Sequence, residues 1–298
     1  SRPTGAKVVK KVPERTSGNT TNVFMGLLGF GVVTFIFAWW LFSGPMFVGP
    51  STQGALAGSE ETLVVPRRVD VPCSKAPQTV AGCTPTRCAR IVRDGFAAEQ
   101  ELDALLSISK GAFKLAQGDG PPSVLDLSNG AASYKTQFIN IFEVLGEQVS
   151  EVFPEKELVV YRMLLERVRQ LVMDSFNLER CWHVGPNFFS MMNASRPAKT
   201  VHDEYWHWHV DRKQYGSFEF TVLLYLNTHG VDYTGGEFAF RDGEDVTLVE
   251  PRKGRLLLFT SGEENVHRVQ PVQTGVRRAL TIAFTCDETQ ALERVTAI

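Results

Sequence analysis

Apolar residues follow three different rhythms along this chain. From Val23 to Phe42 they are unbroken: VFMGLLGFGVVTFIFAWWLF runs twenty residues without a charge. At about 1.5 Å of rise per residue, a helix of that length matches the ~30 Å hydrocarbon core of a bilayer. Further on, the rhythm becomes three-and-four. Across Ala97 to Phe113, Leu102, Leu105, Leu106 and Ile108 stand among Glu99, Glu101, Asp103 and Lys110. Across Glu155 to Phe176, a stripe from Leu158 to Val172 faces away from Arg162, Glu166 and Arg169. Both stretches predict helices that bury one side against a sheet. After Cys181 the pattern shortens to β-rich runs, NFFSMM, FEFTVLLYLN, GEFAFRD, DVTLVEP, GRLLLFTS and ALTIAFTC. Gly235-Gly236, Asp242-Gly243, Lys253-Gly254 and Thr274-Gly275 break them up, as in a sandwich or barrel.

The polar residues between these blocks divide the chain. A basic tail over 1–22 carries Arg2, Lys7, Lys10, Lys11 and Arg15 against the single acid Glu14, whereas no charge follows the apolar run until Glu60. That asymmetry predicts a retained signal-anchor helix over 23–43 with the N-terminus cytoplasmic and the rest lumenal or extracellular, the endoplasmic reticulum or Golgi being the expected compartment. The run is longer than the apolar core of a cleavable signal and ends in bulky Trp39 and Trp40 rather than small residues. Residues 44–92 read as a flexible stalk leading into a cysteine-rich segment, 93–180 as a helical support region, 181–288 as the β-rich domain and 289–298 as a tail. Cys73, Cys83 and Cys88 crowd into a stretch without periodicity, at spacings that make no Cys-x-x-Cys knuckle and with no histidine near. Disulfides are expected there, and Cys181 is the expected buried free thiol. Asn193-Ala194-Ser195 is a glycosylation sequon beyond the anchor, whereas the sequon at Asn19 falls in the cytoplasmic tail and is expected to stay bare.

A formal charge of -2 gives no electrostatic footprint for nucleic acid. All six histidines fall after Cys181, which directs attention to the β-rich region. His209 and Asp211, two apart, leave an extended backbone from the same face. His267 lies downstream, just past the turn residues Ser261, Gly262 and Asn265, and Arg277 follows ten residues later. Two histidines and a carboxylate make a facial set that leaves open positions on Fe(II), and a fixed arginine suits the far carboxylate of a dicarboxylic cosubstrate. Strand alternation places Ala279, Thr281 and Ala283 on the face of Arg277, and sends the neighbouring Arg278 to the face of Leu280, Ile282 and Phe284, from which it snorkels to solvent. His202 and His207 are expected in an aromatic rim, Tyr205, Tyr225 and Tyr233 in packing or in orienting a ligand, and His183 and His229 in packing or turns.

The blocks HVD, TVLLYLN, TGGEFAF, EPRKGRLLLFTSGEENVHRV and GVRRALTIAF resemble the catalytic core of prolyl 4-hydroxylase-type oxygenases. The resemblance implies a double-stranded β-helix, or jelly roll, so that with the helices and anchor read above the expected architecture is an α+β protein whose jelly roll is supported by helices and preceded by one transmembrane helix. It further implies His209, Asp211 and His267 on Fe(2+), Arg277 on 2-oxoglutarate, and support of turnover by L-ascorbate. Collagen-type members use lysine where Arg277 stands, so the arginine is a departure that keeps the charge. A dioxygenase hydroxylating an unknown protein or small-molecule substrate is thus the leading expectation, and a binding module that retains the metal site is the alternative.

Overall fold

The strands run apolar on both faces because both faces are covered. Along Phe220–Tyr225 every residue is buried: Val222 and Leu224 face one apolar cluster, while Leu223 and Tyr225 face another. Leu256–Thr260 repeats the pattern, with Leu256 and Leu258 on one side and Leu257 and Phe259 on the other. Such strands lose the polar alternation of a half-solvated sheet and gain a helix layer behind and a second sheet in front.

The computed structural model describes residues 53–76 and 78–298. Fourteen strands lie among them: β1 Gln53–Ala57, β2 Arg67–Val71, β3 Cys88–Arg93, β4 Pro122–Asp126, β5 Ala131–Tyr134, β6 Gln137–Asn140 and β7 Trp182–Asn193 come first. They are followed by β8 Phe220–Tyr225, β9 Tyr233–Gly235, β10 Phe238–Asp242, β11 Asp245–Val249, β12 Leu256–Thr260, β13 His267–Val269 and β14 Val272–Thr285. A larger sheet has the order β2-β3-β12-β8-β14-β7-β4-β5-β6, with β9 on the end of β14, and a smaller one the order β1-β11-β10-β13. Two helices, α1 Glu99–Leu115 and α2 Glu155–Phe176, cover the larger sheet with Leu105, Ile108, Tyr161, Leu164, Leu165 and Val168. This is a sheet-rich fold of jelly-roll-like antiparallel sheets with covering helices. α2 has the limits its stripe predicts. α1 starts two residues later than expected, where the Glu101 carboxylate accepts the Ala98 N–H at 2.8 Å.

Over the described residues from 53 to 92, the expected stalk is corrected by pairing. β1 lies parallel to β11 with Gln53 opposite Val246, and β2 lies antiparallel to β3 with Arg67 opposite Val92. Leu56, Ala57 and Leu63 enter the core between the sheets, and Arg252 and Arg255 bind the carbonyls of Ser59 and Glu61. Nor is 93–180 helical throughout, because β4, β5 and β6 extend the larger sheet. The 289–298 tail also packs down, with Leu292 N–H on the His183 carbonyl and Ala297 N–H on that of Leu127. Disulfides join Cys73 to Cys88 and Cys83 to Cys286, and Cys181 is free and buried. Among the described residues no helix is long and apolar enough to cross a membrane. The tail 1–22, its Asn19 sequon and the anchor expected over 23–43 lie outside the described residues.

Candidate active site

Three short-range decisions bring His209, Asp211 and His267 together. His209 and His267 form an isolated antiparallel bridge, each N–H donating to the other's carbonyl at 2.9 and 3.0 Å. After extended Val210 (φ -126°, ψ 121°) the chain turns into a one-turn helix, Asp211–Tyr215. The expected continuation of one strand through Asp211 is therefore corrected: the carboxylate heads a helical turn and is aimed by Thr221, whose Oγ1 donates to Asp211 Oδ2 at 2.6 Å. Thr221 in turn meets Ser261 Oγ at 2.8 Å. The ligand atoms of His209, Asp211 and His267 lie within 4.8 Å of one another. Nε2 of His209 stands 3.6 Å and Nε2 of His267 3.4 Å from Asp211 Oδ1.

The imidazoles are held from behind. His209 Nδ1 lies 2.9 Å from the His207 carbonyl and His267 Nδ1 2.9 Å from that of Asn265. A carbonyl can only accept, so each Nδ1 carries the proton and each Nε2 presents a lone pair to the shared space. Burial, and next the neighbouring His267, lower His209 below the usual imidazole range, which keeps it neutral. Burial raises Asp211, but the facing imidazoles and the Thr221 hydroxyl outweigh it and leave the carboxyl below its ordinary value. His267 is further boxed by Phe238, stacked at 4.9 Å, and Phe259, edge-on at 4.9 Å.

A cavity of about 370 Å³ runs from this cluster to Arg277, with Ser190, Leu223, Thr281 and Tyr205 on its walls. Arg277 is 1% exposed, and its Nε donates to the Gly236 carbonyl at 2.9 Å. Gly236 has φ +70°, and a Cβ there would meet Arg277 Cδ at 3.0 Å, so both the turn and the close approach require glycine. Nη2 of Arg277 and the hydroxyls of Tyr225 and Tyr233 are buried without hydrogen-bond partners among the described residues. Burial pushes the Tyr225 hydroxyl up to about 12 against the pull of Arg277, so it stays protonated and able to donate. Buried donors left unmet in a folded protein call for an acceptor. A carboxylate reaching Arg277 through the cavity answers its open Nη2.

Not every histidine joins the site. His207 lines the mouth, where its Nε2 is 2.6 Å from Glu204 Oε2, and His202 is exposed beside it. His183 is packed on Phe284 at 4.7 Å, and His229 Nε2 stands 3.0 Å from Glu237 Oε1. Asn193 closes β7 half-exposed, its Oδ1 accepting from Ser195 Oγ at 2.8 Å. Arg278 corrects an expectation: it is half-buried rather than released to solvent, with Nη1 3.4 Å from Ser109 Oγ of α1. Sequence reasoning missed Thr221 and Asn265. The signal for Thr221 was an aliphatic hydroxyl interrupting the run FTVLLY, whose other residues are aliphatic or aromatic.

Residues 196–285 match the model of the 2OG-Fe(II) oxygenase superfamily. Over 286 residues the chain is 37% identical to 2-oxoglutarate and iron-dependent oxygenase domain-containing protein 3 of Xenopus tropicalis, covering 94% of this chain and 90% of that one. The chain belongs to the 2OG-Fe(II) oxygenase superfamily. The Homo sapiens protein of the same name is 38% identical over 82% of this chain and 79% of its own length. A shorter stretch, 26% of this chain and 12% of the relative, is 41% identical to prolyl 3-hydroxylase 2 of Gallus gallus. A solved 2OG-Fe(II) oxygenase family oxidoreductase from Burkholderia pseudomallei aligns over 69% of this chain and 87% of that chain, at 15% identity and a TM-score of 0.44. Membership of this superfamily implies Fe(2+) and 2-oxoglutarate. The His-Asp-His donor set, with both Nε2 atoms free, and the unmet donors around Arg277 fit that pair.

Proposed function

We propose that this chain is a membrane-anchored Fe(II)- and 2-oxoglutarate-dependent dioxygenase that hydroxylates a C–H bond of a protein side chain presented on the lumenal or extracellular side. One observation carries the reading: an oxygen- and nitrogen-donor triad and a buried guanidinium with an unmet Nη2 stand at two ends of one cavity. His209, Asp211 and His267 would hold the iron, and Arg277 with Tyr225 and Tyr233 would hold the far carboxylate of 2-oxoglutarate. Together with dioxygen, the bound iron and cosubstrate supply the oxidising chemistry, giving hydroxylated product, succinate and carbon dioxide.

The protein's own part is positioning and exclusion. Thr221 aims the Asp211 carboxylate, and the Asn265 and His207 carbonyls fix the tautomers of the two imidazoles. Phe238 and Phe259 keep the His267 side dry. The rim of Tyr205, His207 and Tyr215 faces an incoming substrate, and the local likeness to a prolyl 3-hydroxylase favours a peptide-borne residue. The basic tail and uncharged span of the sequence support the anchor, while the paired cysteines fit an oxidising compartment in which Asn193 would receive glycan. L-ascorbate is proposed as the reductant that sustains turnover.

The test is release of succinate from 2-oxoglutarate by the full chain in detergent with Fe(II), alongside a glycosidase shift of the protein in sealed microsomes. We expect succinate in the wild type and none in His267→Ala. Metal binding without succinate formation would convert the reading to a binding module. Loss of the C-terminal domain to protease added outside the microsomes would overturn the topology.

A further inference from the structure

We infer that Arg90, far from the cavity in sequence and never touching the triad, is the positioning residue for His267. The inference rests on the metal-binding reading of His209, Asp211 and His267. The His267 imidazole is oriented by the Asn265 carbonyl, and Asn265 ends a short turn, Glu263–Asn265, between β12 and β13. Such a turn has no periodic ladder of its own to fix it. Ser74 holds its outer side, accepting from the Glu263 N–H at 3.1 Å, and Arg90 fixes the buried side that carries Asn265: its Nε donates to Asn265 Oδ1 at 2.7 Å and its Nη2 to the Glu264 carbonyl at 3.2 Å. The Asn265 amide is held on its other side, donating to the Thr260 carbonyl at 2.8 Å and Oγ1 at 3.0 Å.

The guanidinium is itself pinned. Asp242 takes it in a two-pronged pair at 2.6 and 2.7 Å, and its face lies 4.2 Å from the centre of Phe240. Arg90 is 2% exposed and stands opposite Phe259 in the β3–β12 pairing, the same Phe259 whose ring packs against His267. One rigid fork thus connects Asp242, the turn and the aromatic wall, three of the features that set the imidazole plane. Arginine suits this task because five donors in fixed geometry satisfy a side-chain amide, a carbonyl and a carboxylate at once, which an ammonium cannot do. His209 has no equivalent: its acceptor, the His207 carbonyl, belongs to an exposed residue. The two imidazoles are therefore held unequally, and the rigid one is His267.

Co(II) titration of the full chain, followed by its visible ligand-field absorption well below the melting temperature, tests this. Changes to residues behind metal ligands cost roughly 10- to 100-fold in affinity, and Arg90→Gln is expected in that range with an altered band. Arg255→Gln serves as the comparison, since Arg255 is equally buried and paired with Asp94 at 2.9 Å but does not contact the turn. It should lower thermal stability comparably while leaving Co(II) affinity within about twofold. Wild-type affinity in Arg90→Gln, or equal loss in both variants, would overturn the inference. If Arg90→Gln does not fold, Asp242→Asn decides: about threefold weaker Co(II) binding supports the bracket and unchanged binding overturns it. A wild type that binds no Co(II) defeats the metal reading itself, whereas a wild type that binds it beside an unaffected Arg90→Gln defeats only this inference.

Discussion

The two faces of β14 carry adjacent arginines, and they treat a positive charge in opposite ways. On the cavity face, Arg277 is fully enclosed, anchored through Nε to Gly236, and left with an open Nη2 beside two unpartnered tyrosine hydroxyls. On the helix face, Arg278 shares its side with Leu280, Ile282 and Phe284, has the Ser109 hydroxyl as its side-chain hydrogen-bond partner among the described residues, and has its pKa lowered by burial. Enclosure alone therefore does not mark a functional cation. What marks Arg277 is that the groups around it are donors waiting for an anion, whereas the groups around Arg278 are apolar side chains closing a core.

The largest effect that can break this contrast lies at the other end of the cavity. His209→Ala, Asp211→Ala and His267→Ala should each remove iron-dependent turnover by on the order of 10³-fold or more, since a three-donor site has no spare protein ligand and iron supplies several kcal/mol. Circular dichroism should report an intact fold, and His207→Ala should be much milder, because its ring is engaged by Glu204. Equal loss of bound iron in His207→Ala and His209→Ala would move the site to the rim. Next in size is Arg277→Ala. A charge-assisted hydrogen bond contributes about 1.5 to 3 kcal/mol, and stranding its buried partner costs ~3 to 5 kcal/mol. The KM for 2-oxoglutarate should then rise roughly 100-fold or more, with partial recovery in Arg277→Lys, which restores charge without the fork. A wild-type titration in Arg277→Ala would mean that the cosubstrate lies elsewhere.

Much of this was legible because it depends on near neighbours in sequence. Alternation along β14 separates Arg277 from Arg278 whatever the rest of the chain does, and the α2 stripe marks both ends of its helix. The parts that escaped depend on distant partners. Gln53–Ala57 has no β-branched residue and becomes a strand because β11, nearly two hundred residues on, offers it a free edge. Arg67–Val71 is half polar and pairs only once β3 is in place. Thr221, Asn265 and Arg90 likewise gain their roles from contacts across the sheets, and apart from the polar interruption that Thr221 makes in an apolar run no local pattern distinguishes them from ordinary polar residues. The fate of Arg278 was misread for a related reason: β14 begins at Val272 rather than beside it, so its side chain reaches α1 before it reaches water.

The helix face can be tested separately through His183, which stands opposite Phe284 in the β7–β14 pairing and packs against it with the rings tilted by 40°. Burial, opposed by Glu166 of α2, lowers its pKa to about 4. The folded protein thus keeps His183 neutral while the unfolded chain protonates near the ordinary 6.5. The unfolded state binds the extra proton, so stability is complete above about pH 6.5 and falls as pH drops towards 4. The loss should be on the order of 3 kcal/mol, read from denaturant midpoints across that window. His183→Phe should flatten this part of the curve, and an unchanged slope would show that the helix face tolerates charge after all.

The smallest expected effect closes the comparison at Arg278. Its guanidinium is withdrawn from water without a carboxylate among its hydrogen-bond partners, and removing such a cation while keeping its volume is often neutral or stabilising. Arg278→Met keeps an unbranched chain that can lie against α1 beside Leu280, so the apolar contact survives while the desolvated charge disappears. Thermal unfolding should be unchanged or improved by up to about 1 kcal/mol, a shift of ~2 to 4 °C for a domain of this size. The KM for 2-oxoglutarate should stay within about threefold of wild type, because the side chain is on the far side of the sheet from the cavity. The paired titration is more informative than either arm alone: a stable Arg278→Met with a KM raised as far as that of Arg277→Ala would mean that the two faces of β14 are electrostatically one site, and that the open donors around Arg277 do not by themselves define where the cosubstrate is held.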